Sequence, residues 1–355
     1  MEATGRGSKT RSRRRCGKQF PELASAPPTQ DEVEPARSAM ASWILKAAIQ
    51  KVLSGLPAAH HLNRVFQDRL TGSLDLTPDR LLDQLRRGAR HLWAYRKLHG
   101  RLPGKVLEVG TGWFPVVPLG LHLCGCGEID TVDRTALMRR EDVLRTLRAL
   151  AELIRVRRLS EALPEFQPER AARLVEMSQD LDRRESQDDG EAARILRHFG
   201  IRYQTSDLEA LGIAEGSVDL ALTNSVLEHL REKELEVLFQ TLRRLVSGSG
   251  VANHFIDLGD HYAVFDRSVE VYNFLKFPDP AWSLINSRLH FQNRLRISDY
   301  RQLFEATGWR IVEEDSQRGT QADLAPISLS PRFRAYRLED LLVYRSWVTL
   351  QPNGT

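Results

Sequence analysis

The stretch Lys105-Val106-Leu107-Glu108-Val109-Gly110-Thr111-Gly112, followed downstream by Ile129-Asp130-Thr131-Val132-Asp133, decides how this chain is read. Residues 105–109 have the length and apolar character of a buried parallel strand. Gly110 and Gly112 allow a tight turn and let a ligand approach bare backbone. The segment Pro115 to Leu123 can begin a helix, and a helix start beside a glycine turn favours carboxylate or phosphate groups. The second run ends on Asp133, an acid at the same sheet edge that can accept hydrogen bonds from two ribose hydroxyls. A nucleoside cofactor is therefore expected.

The details separate two cofactor classes. A dinucleotide turn needs a third glycine three residues after the second, for close helix–strand packing around a pyrophosphate, and here that position is Pro115. Glu108 would repel a pyrophosphate and suits a cationic amino group instead. The set Glu108, Gly110, Thr111, Gly112 and Asp133 resembles the class I S-adenosylmethionine-dependent methyltransferases. Phe114 stands where many members of that family carry a further glycine.

A second block strengthens the resemblance: Ser206-Asp207-Leu208, then Gly216-Ser217-Val218-Asp219-Leu220-Ala221-Leu222-Thr223-Asn224-Ser225-Val226-Leu227-Glu228-His229-Leu230. It looks like the family's third and fourth strands, with a fifth over residues 250–256. By that resemblance Asp207 and Leu208 face the adenine, while Asn224 and Ser225 end the fourth strand beside the methyl donor. The resemblance covers residues 105–256. It implies an α/β fold, Rossmann-like and doubly wound, with a seven-stranded sheet and S-adenosylmethionine as cofactor. The expected organisation is a tail over 1–39, a helical extension over 40–100 and a methyltransferase domain over 101–350. Two insertions interrupt that domain, a helical one over 134–199 and an acceptor-side one over 257–297.

Charge narrows the partners. The chain of 355 residues carries a formal net charge of +4 and has a pI near 9.0. Residues 1–20 alone hold seven Arg or Lys against Glu2, so everything after them is net negative. Phosphate contacts need a basic surface on the folded body, which argues against nucleic acid. Residues 1–39 combine this basic run with prolines and few large apolar side chains, a composition expected to be disordered. Whether Met1 or Met40 is the true start is left open. Cys16, Cys124 and Cys126 lack the spacing of a zinc site, and buried free thiols in a reducing cytoplasm are expected. Residues 43–56 form an amphipathic pattern beginning at Trp43, which packs on its own domain or offers peripheral membrane contact.

Thr77-Pro78-Asp79 is a helix start. In the first insertion, Leu144, Leu147, Leu150 and Ile154, then Leu174, Met177 and Leu181, mark helices; with the polar run 179–191 they read as a helical cap on a mobile connection. The second insertion is rich in aromatics, Phe265, Tyr272, Phe274, Phe277, Trp282 and Phe291, which either form a core or stack on a sugar. After it, Asn293-Arg294-Leu295-Arg296 bears a loose likeness to uncharacterised bacterial members of the family. The expected acceptor is a hydroxyl of a small molecule, glycan or glycolipid. A hydroxyl gains from a base, and His229, His254 and His261 are the candidates. His261 is preferred, with Asp257 and Asp260 fixing its tautomer. The run His254, Asp257, Asp260, His261 could hold Mg²⁺ through its acids, but such pairs are commonly caps or surface groups, and no metal is expected. The alternatives are a cofactor-binding regulator without catalysis, or an aminopropyl transferase on the same fold.

Overall fold

A computed structural model describes residues 76–182, 191–264, 266, 268–287 and 291–354. The tail over 1–39, the amphipathic segment 43–56, Cys16, Phe265 and residues 183–190 of the polar connection lie outside the described residues.

Seven strands form one sheet in the order β3-β2-β1-β4-β5-β7-β6. They are β1 (Lys105–Val109), β2 (Glu128–Asp133), β3 (Ile201–Thr205), β4 (Val218–Asn224), β5 (Val246–Asp257), β6 (Trp309–Arg318) and β7 (Val343–Pro352). The first five run parallel, and β7 inserts antiparallel between β5 and β6. Strand β1 lies in the middle, and Val106, Leu107 and Glu108 are all buried. A strand covered on both faces reads as an unbroken apolar run, and that is why residues 105–109 were legible. The expected Rossmann-like, doubly wound sheet of seven strands is the observed one.

Helix α1 (Pro78–His99) starts where Thr77 caps it and ends at Gly100, with φ of 68°. It buries Leu81, Leu82, Leu85, Leu92 and Tyr95 in the same core as α2 (Val116–Leu123). A Cβ at Gly120 would meet Leu85 Cδ2 at 2.9 Å, so the missing side chain sets how closely the two helices approach. The junction near residue 100 is thus a loop within one continuous core.

Helices α3 (Arg140–Arg155), α4 (Pro168–Asp182) and α5 (Glu191–Arg197) follow β2. Leu144, Leu147, Leu150 and Leu174 join Val106 and Ile129 in a single core cluster. The region expected as a helical cap is therefore sheet-packing structure. Its apolar stripes need the sheet to cover them, and the charged faces point outward. The opposite face of the sheet is covered by α6 (Glu232–Leu245) and α8 (Ile297–Ala306), through Leu235, Phe239, Tyr300 and Phe304.

Between β5 and α8, helix α7 (Asp279–Ile285) belongs to a separate apolar cluster. Tyr272, Phe274 and Trp282 are buried there with Phe333 and Leu341. These aromatics make a core under the insertion rather than a sugar-stacking face. Arg294 lies over the rings of Trp282 and Phe333 and donates to the carbonyl of Phe274 at 2.9 Å. Arg296 is fully buried and donates to the carbonyls of Leu258, Leu341 and Val343. The Asn293–Arg296 run is thereby a clamp joining this insertion to β5 and β7.

Candidate cofactor and acceptor site

The glycine turn after β1 has the predicted form. Gly110 and Gly112 have φ of 88° and 74°, in the region that L side chains avoid. A Cβ at Gly110 would meet Val226 Cγ2 at 2.4 Å, whereas one at Gly112 would meet nothing within 4 Å. One glycine is needed for packing, and the other borders open space. Gly110 lines a cavity of about 510 Å³ together with Asp133, Asp207, Leu208, Val226 and Leu230, among others. Its volume lies in the usual range for small-molecule sites.

Asp133 is buried at the cavity wall, and both its carboxylate oxygens accept from the Gly112 N–H at 3.2 Å. Burial raises its pKa to about 6, against the opposing pull of that backbone N–H. Glu108 lies deeper. Thr131 donates to it at 2.6 Å and is also hydrogen-bonded to Thr111. Burial, reinforced by the charge of Asp133, lifts Glu108 to about 8. In the protein alone this carboxyl is held largely protonated at neutral pH, and a cation brought near would ionise it. Asp207 is mostly exposed, 3.7 Å from Arg134, while Leu208 offers an apolar wall.

Asn224 and Ser225 do not line this cavity. Ser225 has φ of 50°, an uncommon conformation for a residue with a side chain, and its N–H bonds the Phe255 carbonyl at 3.0 Å. Its hydroxyl accepts from Arg87 at 3.5 Å, and the Arg87 guanidinium covers the Phe255 ring at 4.3 Å. Asn224 meets the buried His91, whose other ring nitrogen faces Asn253 Oδ1 at 2.6 Å. The Asn253 amide nitrogen is committed to Val348 and Thr349, so Asn253 accepts and His91 Nδ1 carries the proton. Burial lowers His91 to about 4, so Nε2 then holds a lone pair. Asn224 must turn its NH₂ toward it and its carbonyl toward the buried corner where no partner is found. Arg87 and His91 were missed in the sequence because an amphipathic helix gives no sign of which polar residue faces a strand end.

The expected support of His261 by the two aspartates is not formed. Asp257 Oδ1 accepts from Gly259 N–H at 3.1 Å, and Asp260 accepts from Tyr262 N–H and the Asn273 amide. Asx-type bonds to nearby backbone win because they close at short range. His261 instead lies beside His229, ring centroids 5.0 Å apart. Burial, then the neighbouring His229, depresses it to about 3. An imidazole that low is a weak general base at neutral pH. His254 is a core residue, bonded to Thr223 at 2.9 Å and packed on Phe239 and Phe304, and it takes no part with Asp257, Asp260 and His261.

The residue missed here is Glu228. It is buried, and neither carboxylate oxygen accepts a well-formed hydrogen bond among the described residues, the Glu228 and Asp257 N–H groups lying near enough only to oppose the rise in its pKa. Burial, with the charge of Asp257 adding to it, pushes its carboxyl well above the usual range. Asn293 holds the turn that carries Glu228 and His229: its N–H donates to the Glu228 carbonyl at 2.7 Å, and its amide to Leu227 and Leu230 at 2.9 Å. Cys124 and Cys126 are buried free thiols, raised by burial to about 11 and 12.

Residues 165–252 match a family model described as a methyltransferase domain, spanning β3, β4 and most of β5 but not the glycine turn. No curated protein matches. Among solved structures, a SAM-dependent methyltransferase from Leishmania major is 13% identical, with 87% of this chain and 83% of that one covered at a TM-score of 0.40. One from Mesorhizobium loti is 13% identical, covering 72% and 95% at 0.33. One from Methanosarcina mazei is 11% identical, covering 73% and 98% at 0.37. The matched segment is similar to a methyltransferase domain, and it lies within a seven-stranded sheet of the expected Rossmann-like form. The buried Asp133 and Glu108 beside the glycine turn suit S-adenosylmethionine. Among the described residues, no helix is long and apolar enough to cross a membrane.

Proposed function

We propose that the chain is an S-adenosylmethionine-dependent methyltransferase acting on a hydroxyl group of a small molecule or glycan. The observation that carries the reading is position. Val226 and Leu230 line the cofactor cavity, and between them stand Glu228 and His229, facing His261 from beyond the end of β5. Polar groups that accept hydrogen bonds are thus placed beside the donor pocket. Asp133 and the Gly110–Gly112 backbone hold the ribose end, Leu208 covers the adenine, and Glu108 supplies the negative charge for the amino group. When bound, the cofactor supplies a methyl group activated by its sulfonium. What remains for the chain is alignment and exclusion of water.

His229 and His261 are both held neutral by burial, and in that state an imidazole accepts a hydrogen bond from a hydroxyl and orients its oxygen. The buried aromatic cluster removes one argument for a sugar, so the proposal rests on the hydroxyl itself. An amine acceptor is the second reading, favoured by the carboxyls of Glu228 and Asp257 near one another. Incubating the protein with methyl-labelled cofactor and a host extract, then identifying the labelled product, tests both. An O-methyl product is expected. An N-methyl product would replace the hydroxyl reading, and tight cofactor binding with no transfer to any component would favour a regulator.

A further inference from the structure

We propose that Glu228, His229 and His261 form a binding site for one first-row divalent metal ion, such as Mn²⁺, Fe²⁺ or Zn²⁺, with an open position for an oxygen ligand. The ligand atoms of the three side chains all lie within 4.8 Å of one another. Around an ion held at about 2.0–2.2 Å by imidazole and carboxylate, ligands sit roughly 3.5 Å apart; side-chain rotations of about an ångström close that gap.

Two features make the cluster a site rather than a coincidence. First, Glu228 has been taken out of water without a well-formed hydrogen bond to either oxygen among the described residues. An unpaired buried carboxyl is costly, and a cation is the partner that would let it stay ionised. Second, His229 Nδ1 faces the Phe291 carbonyl at 2.7 Å. A carbonyl only accepts, so Nδ1 carries the proton and Nε2 the lone pair, which is how a metal-bound histidine is ordinarily fixed by its outer partner.

The donor set of two imidazoles and one carboxylate selects transition ions over Mg²⁺ or Ca²⁺, which prefer oxygen alone. Glu228 is buried while both histidines are partly exposed, so the unfilled position opens outward, toward the acceptor. On the hydroxyl reading above, the acceptor oxygen occupies that position and loses its proton to solvent more readily on coordination. Its lone pair then forms the new O–CH₃ bond as the S–CH₃ bond breaks, with the bonding pair remaining on sulfur. This role rests on that reading, whereas the metal site itself does not.

The test uses the untagged full chain, stripped with a chelator. Because His60 and His61 are adjacent in the sequence, the measurement is made in a background carrying His60→Gln and His61→Gln. Titration with Mn²⁺, followed by loss of the free-ion EPR signal, should show one ion per chain at micromolar concentration. Glu228→Gln and His261→Gln should each weaken binding at least tenfold, and the exposed His198→Gln should not. Pulsed EPR of the bound ion should show nitrogen couplings from two imidazoles, a readout that needs no ligand variant and still decides if those variants fail to fold. No binding at millimolar Mn²⁺, affinity unchanged in the folded ligand variants, or bound Mn²⁺ without imidazole couplings would overturn the site. Cofactor affinity, measured separately by calorimetry, distinguishes failure of the metal site from failure of the methyl-transfer reading.

Discussion

Glu108 shows how one buried acid couples stability to ligand binding. Its carboxyl at about 8 lies above the ordinary 4.5, and Asp133 at about 6 lies above 3.8, so the folded chain retains protons that the unfolded chain releases. The contribution of these two groups is then fully present below about pH 4 and falls as pH rises toward 8, by on the order of a few kcal/mol, while the burial-depressed His91 and His261 act in the opposite sense between about 4 and 6.5. Urea unfolding of wild type and Glu108→Gln compared between pH 5 and 8 should show the variant losing less stability as pH rises, and an unchanged difference between them across that range would contradict it. A cationic ligand reverses the balance. Binding S-adenosylmethionine at pH 7 should expel up to one proton, seen as a buffer-dependent calorimetric enthalpy that vanishes in Glu108→Gln. At Gly110, alanine would meet both an unfavourable φ and Val226 Cγ2 at 2.4 Å. The left-handed conformation alone costs about 1–2 kcal/mol, and Gly110→Ala should lower the melting temperature by several degrees and abolish cofactor binding. The glycines and acids were readable because turn chemistry is local. Glu228 was not, because its meaning depends on His261, which the fold brings to it from beyond β5.

At the scale of elements, helix α1 is tied to the sheet by one imidazole. His91 joins Asn224 of β4 to Asn253 of β5, and removing it leaves the buried Asn253 and the half-buried Asn224 short of a partner. His91→Ala should cost about 2–4 kcal/mol, measured by chemical denaturation, with cofactor affinity changed far less than stability. The sequence marked this helix by its cap, proline and apolar period, yet treated it as a preface to the domain. Periodicity reports that a face is buried, never which surface buries it. The same blindness turned residues 134–199 into a cap, although their leucines cover β1 and β2. The aromatic insertion carried two readings for a related reason, since rings suited to a ligand are equally suited to a core.

For the whole molecule, a doubly wound sheet of seven strands was expected from the resemblance, and parallel strands joined through helices leave few ways to place them. The antiparallel β7 carries no motif. It is a largely buried strand one place in from the sheet edge, known only through its partners, β5 and β6. A ligand that binds only the folded chain adds about 2.7 kcal/mol at a hundredfold excess over its Kd. Saturating S-adenosylmethionine should therefore raise the melting temperature by several degrees, while NADH at the same concentration should leave it unchanged; a shift with NADH alone would contradict the cofactor assignment. The fully buried Arg296, with its pKa lowered to about 10 by burial, adds a constraint on traffic. Its three carbonyl bonds knit the segment after β5 to the approach to β7, and hinging them apart would strand a guanidinium in a dry interior. Molecules must then come and go across the rim, and a change of diet in this lineage would proceed by exchanging side chains along that rim while the wall behind it stays put.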